Sequence, residues 1–436
     1  MQSSVNVEER LMDGISCQDR VLCYMVRTPW RWVFNEAVEL RFRDYLLKEL
    51  RVSEIKQLST SRKFQSNSFV SSHGPSTLRA EILRLDDSSF CLKDEKDLQV
   101  EKSTVEKIVL GTSTALDGLS DKDQFVDVME RCGAGFAIPP SILINWDATY
   151  EEIKEIEFPT CEDCKICDST SQDSDIIFSV LKTPLGSRGE GVFFVSTHDE
   201  IWEKVHSNYL RALSEGNGKF IEEMQLTKGR IPSWVLSSEI KSLQILSRKC
   251  HFRTYAIIIE ESNDERVGEE WEGFIYNSHE VRIAEKEMIE AIGEKKRDRA
   301  AHITNGASEG KTGRFIIDEI EELPSDFGKS LEKFVAEVFD CLVNEISIRI
   351  SKDKDVCKIT KMAWAGIDIM SDSSGRLYVL EVNVNPAAPP KQYLSERFQL
   401  HLASLARDTL DLIFQDMHGG RREAVGGWIP MRAKLE

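Results

Sequence analysis

The chain has 436 residues, and at roughly 150 residues per domain this length predicts two or three folded modules. Hydrophobic residues make up 41% of the sequence and charged residues 30%, a globular composition that excludes collagen-like and wholly disordered proteins. The formal net charge is −18. A protein this acidic gains no affinity for DNA or RNA from counterion release, and anionic membranes repel it. We therefore expect neither nucleic acid nor a membrane among the partners.

The cysteines and the N-terminal residues indicate the compartment. Ten cysteines are scattered along the chain without the dense, regular spacing of a small disulfide-bonded domain. Residues 1–20 are polar and acidic and lack the apolar segment of a secretion signal. No apolar run approaches the roughly 20 residues of a membrane span. We expect reduced thiols in a soluble, cytoplasmic protein.

The first third of the chain shows alternating strand and helix patterns. Apolar periodicity predicts a strand over 21–26 and an amphipathic helix over 36–50. The polar, Ser-rich residues 51–80 predict a loop or a poorly ordered insert. A second helix is predicted over 121–132 and a further strand over 139–144.

An acidic stretch interrupts this pattern between Asp147 and Asp175. It holds ten acids and two bases, a net charge of −8, and places Cys161, Cys164 and Cys167 in a C-x-x-C-x-x-C run. Such a run could bind zinc or an iron–sulfur cluster, but a tetrahedral site needs a fourth ligand, and no second C-x-x-C or nearby histidine is present. We favour an acidic surface loop with reduced thiols and keep the metal site as the alternative.

Beyond this stretch the pattern becomes regular. Strands joined by a turn-rich connection at 371–375, with helices beside them, imply an α+β fold. The predicted strands are 176–182, 192–195, 219–222, 252–260, 365–370 and 376–382, and the predicted helices are 199–216, 327–350 and a closing one that carries Leu394, Phe398, Leu402 and Leu405.

A glycine-bearing turn follows the strand that ends at Lys182. Gly186, Gly189 and Gly191 let backbone N–H groups approach an anion closely, because no Cβ is in the way. Lys182 adds a point charge, and Arg188 adds a fork of donors for phosphate oxygens. The residues do not follow the G-x-x-x-x-G-K-[ST] order of a Walker A loop. The pattern alone is equally compatible with a phosphate-binding loop and with an ordinary glycine-rich hairpin.

A more specific pattern lies near the end of the chain. Asp368 and Glu381 fall on adjacent strands of the predicted hairpin, and Glu381 and Asn383 project from the same face of one strand. Three oxygen ligands on one sheet face suit a Mg²⁺ ion that bridges nucleotide phosphates. The alternative, a hydrophobic strand with polar ends, leaves buried polar groups that are costly unless they are paired.

Two weaker patterns involve cations. Lys249, His251 and Arg253 alternate along a predicted strand and therefore share a face, as they would on a solvated edge strand too. Arg282 precedes a short polar segment that contains His302, and a lone histidine is more often structural than a ligand.

In this order, the motifs resemble the ATP-grasp superfamily, and specifically the tubulin tyrosine ligase-like family. The similarity spans about residues 20–410 and is strongest after 176. It rests on the lysine strand with its S-x-G-E-G-type loop at 182–191, the hinge-like 219–222, the K-F-D-x-R-like 249–253, the H-L-T-N-like 302–305, and the final D…E-V-N of Asp368, Glu381 and Asn383.

The resemblance implies a role for each matching residue. Lys182 would contact the α and β phosphates of ATP, Lys249 would reach the nucleotide, and Arg253 and Arg282 would grip the acceptor or an acyl-phosphate. His251 stands where the family usually has an aspartate, so it falls at the ribose contact. The other implied contacts are Gly186, Arg188, Gly189 and Gly191 over the phosphates, the backbone of Lys219, Phe220, Ile221 and Glu222 on adenine, Thr304 and Asn305 beside ribose and phosphates, and Asp368, Glu381 and Asn383 on Mg²⁺.

The implied reaction is ATP- and Mg²⁺-dependent ligation of a carboxylate to an amine through an acyl-phosphate. The family adds an amino acid to acidic protein tails, usually of tubulin. The alternatives are a ligase that joins an amino acid to a small molecule or short peptide, and a nucleotide-binding pseudoenzyme, against which the intact ligand set argues. The basic cluster 295–299 either lines the acceptor side or is a solvated loop.

The resemblance also implies a three-module ligase in which the nucleotide is held between two α+β lobes. We expect a disordered tail over 1–20, an N-terminal α/β domain over 21–115, a central ATP-grasp domain over 116–220 and a C-terminal ATP-grasp domain over 221–436.

Overall fold

A computed structural model describes a large part of the chain and shows two β-sheets, one of 12 strands and one of four. The described residues are 20–26, 33, 52–57, 79–85, 105–110, 115–160, 178–183, 191–214, 232–261, 271–288, 299–304, 313–351, 359–384, 386, 388–413, 415 and 422–431.

The strands and helices are numbered here in chain order. The strands are β1 (Arg20–Val26), β2 (Val52–Gln57), β3 (Arg79–Leu85), β4 (Val105–Leu110), β5 (Ser141–Ile144), β6 (Ser179–Lys182), β7 (Val192–Val195), β8 (Trp234–Ser238), β9 (Gln244–Ile245), β10 (Arg248–Glu261), β11 (Trp271–Tyr276), β12 (Glu280–Ile283), β13 (Gly313–Ile316), β14 (Ile359–Ser371), β15 (Leu377–Val384) and β16 (Trp428–Pro430). The helices are α1 (Lys122–Arg131), α2 (Tyr150–Lys154), α3 (His198–Ser214), α4 (Arg299–His302), α5 (Phe327–Ser351) and α6 (Glu396–Ile413).

The large sheet has a parallel part and an antiparallel part that meet at β14. Its order is β13-β12-β10-β14-β4-β3-β1-β2, and β15 also pairs with β14. The first residues of β14, Ile359 to Lys361, run parallel to β4, whereas residues 360–369 run antiparallel to β10. β14 therefore belongs to both parts of the sheet.

The two faces of β10 are covered by different helices. Cys250, Phe252 and Ile258 pack into one hydrophobic core together with residues of α1 and α5. Tyr255, Ile257 and Ile259, on the other face, pack into a second core with α6. This alternation follows from the two-residue period of a strand, and it leaves the polar residues at the start of β10 on the α6 face, beyond the apolar contacts.

The four-stranded sheet has the order β5-β8-β6-β7, with antiparallel pairing throughout. Its core contains the stacked rings of Trp146 and Trp234, whose centroids are 5.5 Å apart, and it packs against Ile201 of α3. At the start of α1, the carboxylate of Asp123 accepts a hydrogen bond from the Ser233 amide at 2.9 Å, which ties the helix to β8. α1 thereby links the small sheet to the core of the large one.

Most of the predicted elements are confirmed and two predictions are wrong. The predicted loop over 51–80 contains β2, which pairs in parallel with β1, because Val52 and Ile55 supply strand-forming residues before the polar run begins. The acidic stretch contains α2, which Thr149 and Glu152 start with a reciprocal capping box.

Several elements were not predicted or lie outside the described residues. β8, β11, β12 and β13 have no counterpart among the predicted elements. Three predicted features lie wholly outside the described ranges: the helix 36–50, the cysteine run at 161–167 and the strand 219–222. No helix in those ranges is both long and apolar enough to cross a membrane.

Substitutions on α5 test the packing of the first core. Leu331 is fully buried and Ile348, on the same helix, is 51% exposed. We expect Leu331→Ala to lower the free energy of unfolding by about 2–5 kcal/mol, because it leaves a cavity, and Ile348→Ala to change it by less than about 0.5 kcal/mol. Denaturant titration of both variants measures this, and equal losses would contradict the assigned orientation of α5.

Candidate active site

A cleft lies where the four-stranded sheet faces the polar end of β10 and β14. It is lined from the small sheet by residues of β6, β7 and β8, and from the large sheet by residues of β10, β14 and β15. The titratable side chains in its lining are Lys122, Lys182, Lys249, His251, His302, Asp368 and Glu381.

A buried ion pair between Arg253 and Asp368 crosses from β10 to β14. The two residues are register partners, and the guanidinium donates from Nε at 2.5 Å and from NH2 at 2.7 Å to the two carboxylate oxygens. Burial alone would raise the pKa of Asp368, but Arg253 and His251 outweigh it and hold the pKa of this carboxyl well below its usual range. Asp368 is therefore a permanent anion.

Gly366 makes room for this ion pair. A Cβ at Gly366 would lie 2.9 Å from Cδ of Arg253 and 3.1 Å from Cβ of Pro386. Any larger residue would push the arginine side chain away from its position over β14, so the glycine is required by close approach.

Asp368, Glu381 and Asn383 converge on one sheet face, as predicted. Asp368 and Glu381 are register partners on β14 and β15, and Nδ2 of Asn383 lies 3.1 Å from Glu381 Oε1 and 3.4 Å from Asp368 Oδ2. Burial, and then the negative charge of Asp368, raise the pKa of Glu381 above its usual value. We call Asp368 and Glu381 the carboxylate pair.

The donor set fits a hard divalent cation. The two carboxylates supply oxygen ligands, and Asn383, whose Nδ2 donates to both of them, would supply Oδ1 once its amide group is turned over. A cation between the carboxylates would relieve the repulsion that contributes to the raised pKa of Glu381. Asp368 keeps lone pairs beyond the two that the guanidinium of Arg253 uses. Groups of three or more His, Cys, Asp or Glu that could hold a metal ion do not occur among the described residues, so the candidate set depends on the Asn383 amide.

His251 links the carboxylate pair to the segment after α4. Its Nδ1 forms a short hydrogen bond with the hydroxyl of Thr304, and its Nε2 lies 3.5 Å from Asp368 Oδ1. Burial lowers the pKa of His251, against the attraction of Asp368. β10 is paired on both sides and these side chains are buried, so the solvated edge-strand alternative is wrong.

Three lysines, Lys122, Lys182 and Lys249, line the same cleft, and we call them the cleft lysines. Nζ of Lys182 donates to the carbonyl of Leu380 at 3.4 Å, and Nζ of Lys122 donates to the carbonyl of Thr183 at 3.2 Å. Burial lowers the pKa of Lys182; Glu381 opposes this shift and the other cleft lysines add to it. Clustered cations in such a cleft attract a polyanion. No pattern in the sequence indicated Lys122 as a site residue.

Glu239 contacts two side chains of the cleft, Lys249 and His302. Its Oε1 lies 3.5 Å from Nζ of Lys249 and 3.3 Å from Nδ1 of His302. The ring of His302 packs on Phe194 of β7, with centroids 4.6 Å apart. His302 therefore has a carboxylate partner in the cleft wall, a contact that the sequence did not reveal.

The chain passes from the small sheet to the large sheet through residues 239–242. At one end the amide of Ser238 donates to the carbonyl of Pro140 at 2.9 Å, and at the other end the amide of Leu243 donates to the carbonyl of Ser371 at 2.8 Å. These bonds fix both ends of the segment that joins the two sheets.

Ile240 of this segment lines the cleft, together with Ser237 and Ser238 at the end of β8. Within the described part of the chain, no backbone hydrogen bond outside the strands involves Glu239 or Ile240. Backbone groups at such a point need a partner from water or a ligand. The hinge residues predicted at 219–222 lie outside the described ranges, so the structure offers this second position for a hinge.

Arg282 lies beside the pair of Arg253 and Asp368, bonded to a buried carboxylate. Glu280 accepts from Arg282 Nε at 3.3 Å and NH2 at 2.9 Å, and from the hydroxyl of Tyr255 at 2.5 Å. Burial would raise the pKa of Glu280, but the neighbouring cations, led by Arg282 and Arg314, lower it to about 2. No pattern in the sequence indicated Glu280, Tyr255 or Arg314.

The predicted phosphate loop is described only at its base. Gly191 has φ +71°, which favours glycine, and its carbonyl accepts from the Thr183 amide at 2.8 Å. The predicted site residues Gly186, Arg188, Gly189, Lys219, Phe220, Ile221, Glu222 and Asn305 lie outside the described residues.

Comparison with solved structures identifies this architecture. The C-terminal domain of Pby1 from K. lactis, described as an ATP-grasp enzyme interacting with the mRNA decapping enzyme Dcp2, is similar with a TM-score of 0.52. The chain has the ATP-grasp fold. The similarity covers 95% of this chain and 98% of that chain at 11% identity, so it shows the fold alone. No protein-family model and no curated protein matches the sequence.

The predicted α+β, ATP-grasp fold class is thus confirmed. Membership of the tubulin tyrosine ligase-like family, the domain boundaries and the roles assigned to single residues stay predictions.

The depressed pKa of Glu280 gives a testable pH dependence. A carboxyl whose pKa falls from 4.5 to about 2 on folding stabilises the protein above pH 4.5 and loses that contribution as the pH falls through this window. We expect the difference in unfolding free energy between wild type and Glu280→Gln to shrink by about 2 kcal/mol between pH 6 and pH 3.

Denaturant titration at a series of pH values measures this difference. The exposed Glu321 provides the matched control, since Glu321→Gln should give a difference that stays flat across the same range. A flat difference for Glu280→Gln as well would show that Glu280 is not held as an anion by Arg282.

Proposed function

We propose that the protein is an ATP- and Mg²⁺-dependent carboxylate–amine ligase that forms an acyl-phosphate and adds an amino acid to a protein or peptide carboxylate. The observation that carries the proposal is the cleft itself: the cleft lysines face the carboxylate pair and Asn383 between two sheets of an ATP-grasp fold. The resemblance to the tubulin tyrosine ligase-like family supplies the reaction class.

In this proposal, the nucleotide lies between the four-stranded sheet and the large sheet, whose residues line the cleft from its two sides. The cleft lysines neutralise the phosphates, since they combine positive charge with low solvent exposure. Segment 238–240 would hold adenine through its backbone, because it lines the cleft and its amides at 239 and 240 have no backbone partner among the described residues.

Mg²⁺ would be held by Asp368, Glu381 and Asn383. When bound, it would neutralise the charge of the transferring phosphate and orient it. Arg253 fixes the position of Asp368 through its two hydrogen bonds, and His251 supports the same carboxylate from the side of Thr304. The ligand set is thus held by rigid strands and by buried contacts.

The chemistry needs no side-chain nucleophile. The acceptor carboxylate attacks the γ-phosphorus of ATP, the bond to the β-phosphate oxygen breaks, and ADP leaves. The amine then attacks the carbonyl carbon of the acyl-phosphate, loses a proton and expels inorganic phosphate, which leaves an amide. The chain contributes mainly positioning and charge neutralisation, and Arg253 and Arg282 would position the acyl-phosphate or the acceptor.

A ligase for a small molecule or short peptide is the second candidate. The net charge of −18 favours it, because an acidic protein attracts an acidic protein tail poorly unless the tail meets a local basic surface. ADP formation with glutamate-rich peptides, tubulin tails among them, compared with free small carboxylates separates the two candidates.

The proposal is tested by ADP formation with ATP, Mg²⁺ and a panel of amino acids and carboxylate acceptors. We expect turnover with at least one pair, and a loss of about 100-fold or more in kcat for Glu381→Gln, because it removes an anionic ligand at the transferring phosphate. The exposed Glu396 on α6 gives the matched control, and Glu396→Gln should retain full activity.

Two outcomes would contradict the proposal. Turnover that is unchanged in Glu381→Gln would remove the metal assignment. Thermal stabilisation by nucleotide without ADP formation across the whole panel would favour a nucleotide-binding pseudoenzyme.

A further inference from the structure

One carboxylate contacts a cleft lysine from outside the cleft lining. Glu239 lies on the segment between the two sheets, and the lining includes its neighbours Lys249 and His302 but not Glu239 itself. Its Oε1 lies 3.5 Å from Nζ of Lys249 and 3.3 Å from Nδ1 of His302. Glu239 therefore acts on a ligand in the cleft through these two side chains.

The cleft lysines are served by two different carboxylates. Burial lowers the pKa of Lys122 and of Lys182, and the negative charge of Glu381 opposes both shifts. Lys249 is buried as well, and its ion-pair partner is Glu239. Glu381 is a proposed ligand of Mg²⁺, whereas Glu239 is not. The partner of Lys249 therefore stays available when the metal site is filled.

The position of the Glu239 carboxylate is itself fixed. The same oxygen that faces Lys249 also faces His302, whose ring packs on Phe194 of the small sheet with centroids 4.6 Å apart. Burial would raise the pKa of Glu239, but His302 and then Lys249 outweigh it and lower this pKa. Glu239 is thus an anion at neutral pH, held beside Lys249 by a buried ring.

A lysine that binds phosphate gains from such a partner. Its ammonium is a compact charge on a flexible four-carbon stem, and ordering this stem during binding costs affinity. Nζ of Lys249 donates to Glu239, which occupies one of the three donors of the ammonium and leaves two for a ligand. A lysine ordered before the nucleotide arrives loses less freedom when it contacts the phosphates.

We propose that Glu239 is a positioning residue, which holds Lys249 in place for the nucleotide phosphates and so strengthens the preference for ADP and ATP over the unphosphorylated nucleoside. This inference rests on the proposed function, from which it takes the nucleotide. The opposite role is a carboxylate that competes with the phosphates for Lys249. The two roles predict opposite changes in affinity when the charge of Glu239 is removed.

Binding measurements test the inference without requiring turnover. ADP and adenosine are titrated by calorimetry, with Mg²⁺ present, into the full-length protein and its variants. We expect Glu239→Gln to weaken ADP about 3- to 10-fold, because Lys249 is no longer held before binding. Adenosine should bind unchanged, since it has no phosphate for Lys249 to contact. Glu239→Asp keeps the charge but withdraws it by one methylene, and its affinity for ADP should lie in between.

A double-mutant cycle assigns the effect to Lys249. Lys249→Met should weaken ADP about 10- to 100-fold, because a hydrogen bond from a charged group is lost. Glu239→Gln in that background should cost less than about twofold more, because the residue through which Glu239 acts is absent. The matched control is Glu285, an exposed residue after β12, and Glu285→Gln should bind both ligands like wild type.

Several outcomes would overturn the inference. Unchanged or tighter binding of ADP by Glu239→Gln would do so, and the tighter binding would make Glu239 a competitor of the phosphates. Equal losses for ADP and adenosine, or the full loss in the Lys249→Met background, would reduce Glu239 to a structural role. Wild-type protein that binds ADP no more tightly than adenosine would remove the phosphate contact of Lys249 and the inference with it. Glu239-dependent binding of ADP, without ADP formation from ATP on any acceptor, would remove the proposed reaction and leave the positioning role standing.

Discussion

The buried ion pair between Arg253 and Asp368 is the interaction on which the candidate site depends. It joins the two central strands of the large sheet, and removal of either partner would leave a buried charge without compensation. The pair fixes the positions of its side chains more than it stabilises the fold, because a buried ion pair gains little net free energy over apolar packing. What the pair provides is a fixed carboxylate at the floor of the cleft, and Gly366 supplies the space that it needs.

Strand register builds the rest of the site around that pair. Glu280, Arg253, Asp368 and Glu381 are successive cross-strand partners on β12, β10, β14 and β15, so charges of opposite sign alternate over the first three and two anions meet at the end. A shift of one residue in any of these strands would turn the polar set into the apolar core and the apolar set into the cleft. The hydrophobic cores on the two faces of β10 therefore also fix the chemistry.

The features that the sequence predicted well are those with local spacing. Glu381 and Asn383 on one strand, Lys249, His251 and Arg253 on another, and the apolar face of α5 follow from the periods of strand and helix. Groups that come together only through tertiary structure were missed. Glu239 meets His302 across more than sixty residues, and Arg314 meets Arg282 through the pairing of two strands that no pattern had indicated.

The double pairing of β14 has a mechanical consequence. Lys361, which pairs with β4, and Asp368, which faces the cleft, belong to one uninterrupted strand. A tilt of the parallel strands relative to the antiparallel ones would therefore reach the cleft through stiff, hydrogen-bonded backbone, with no flexible connector along that route to absorb it. A partner that binds the N-terminal strands would therefore change the positions of the carboxylates without contacting the cleft.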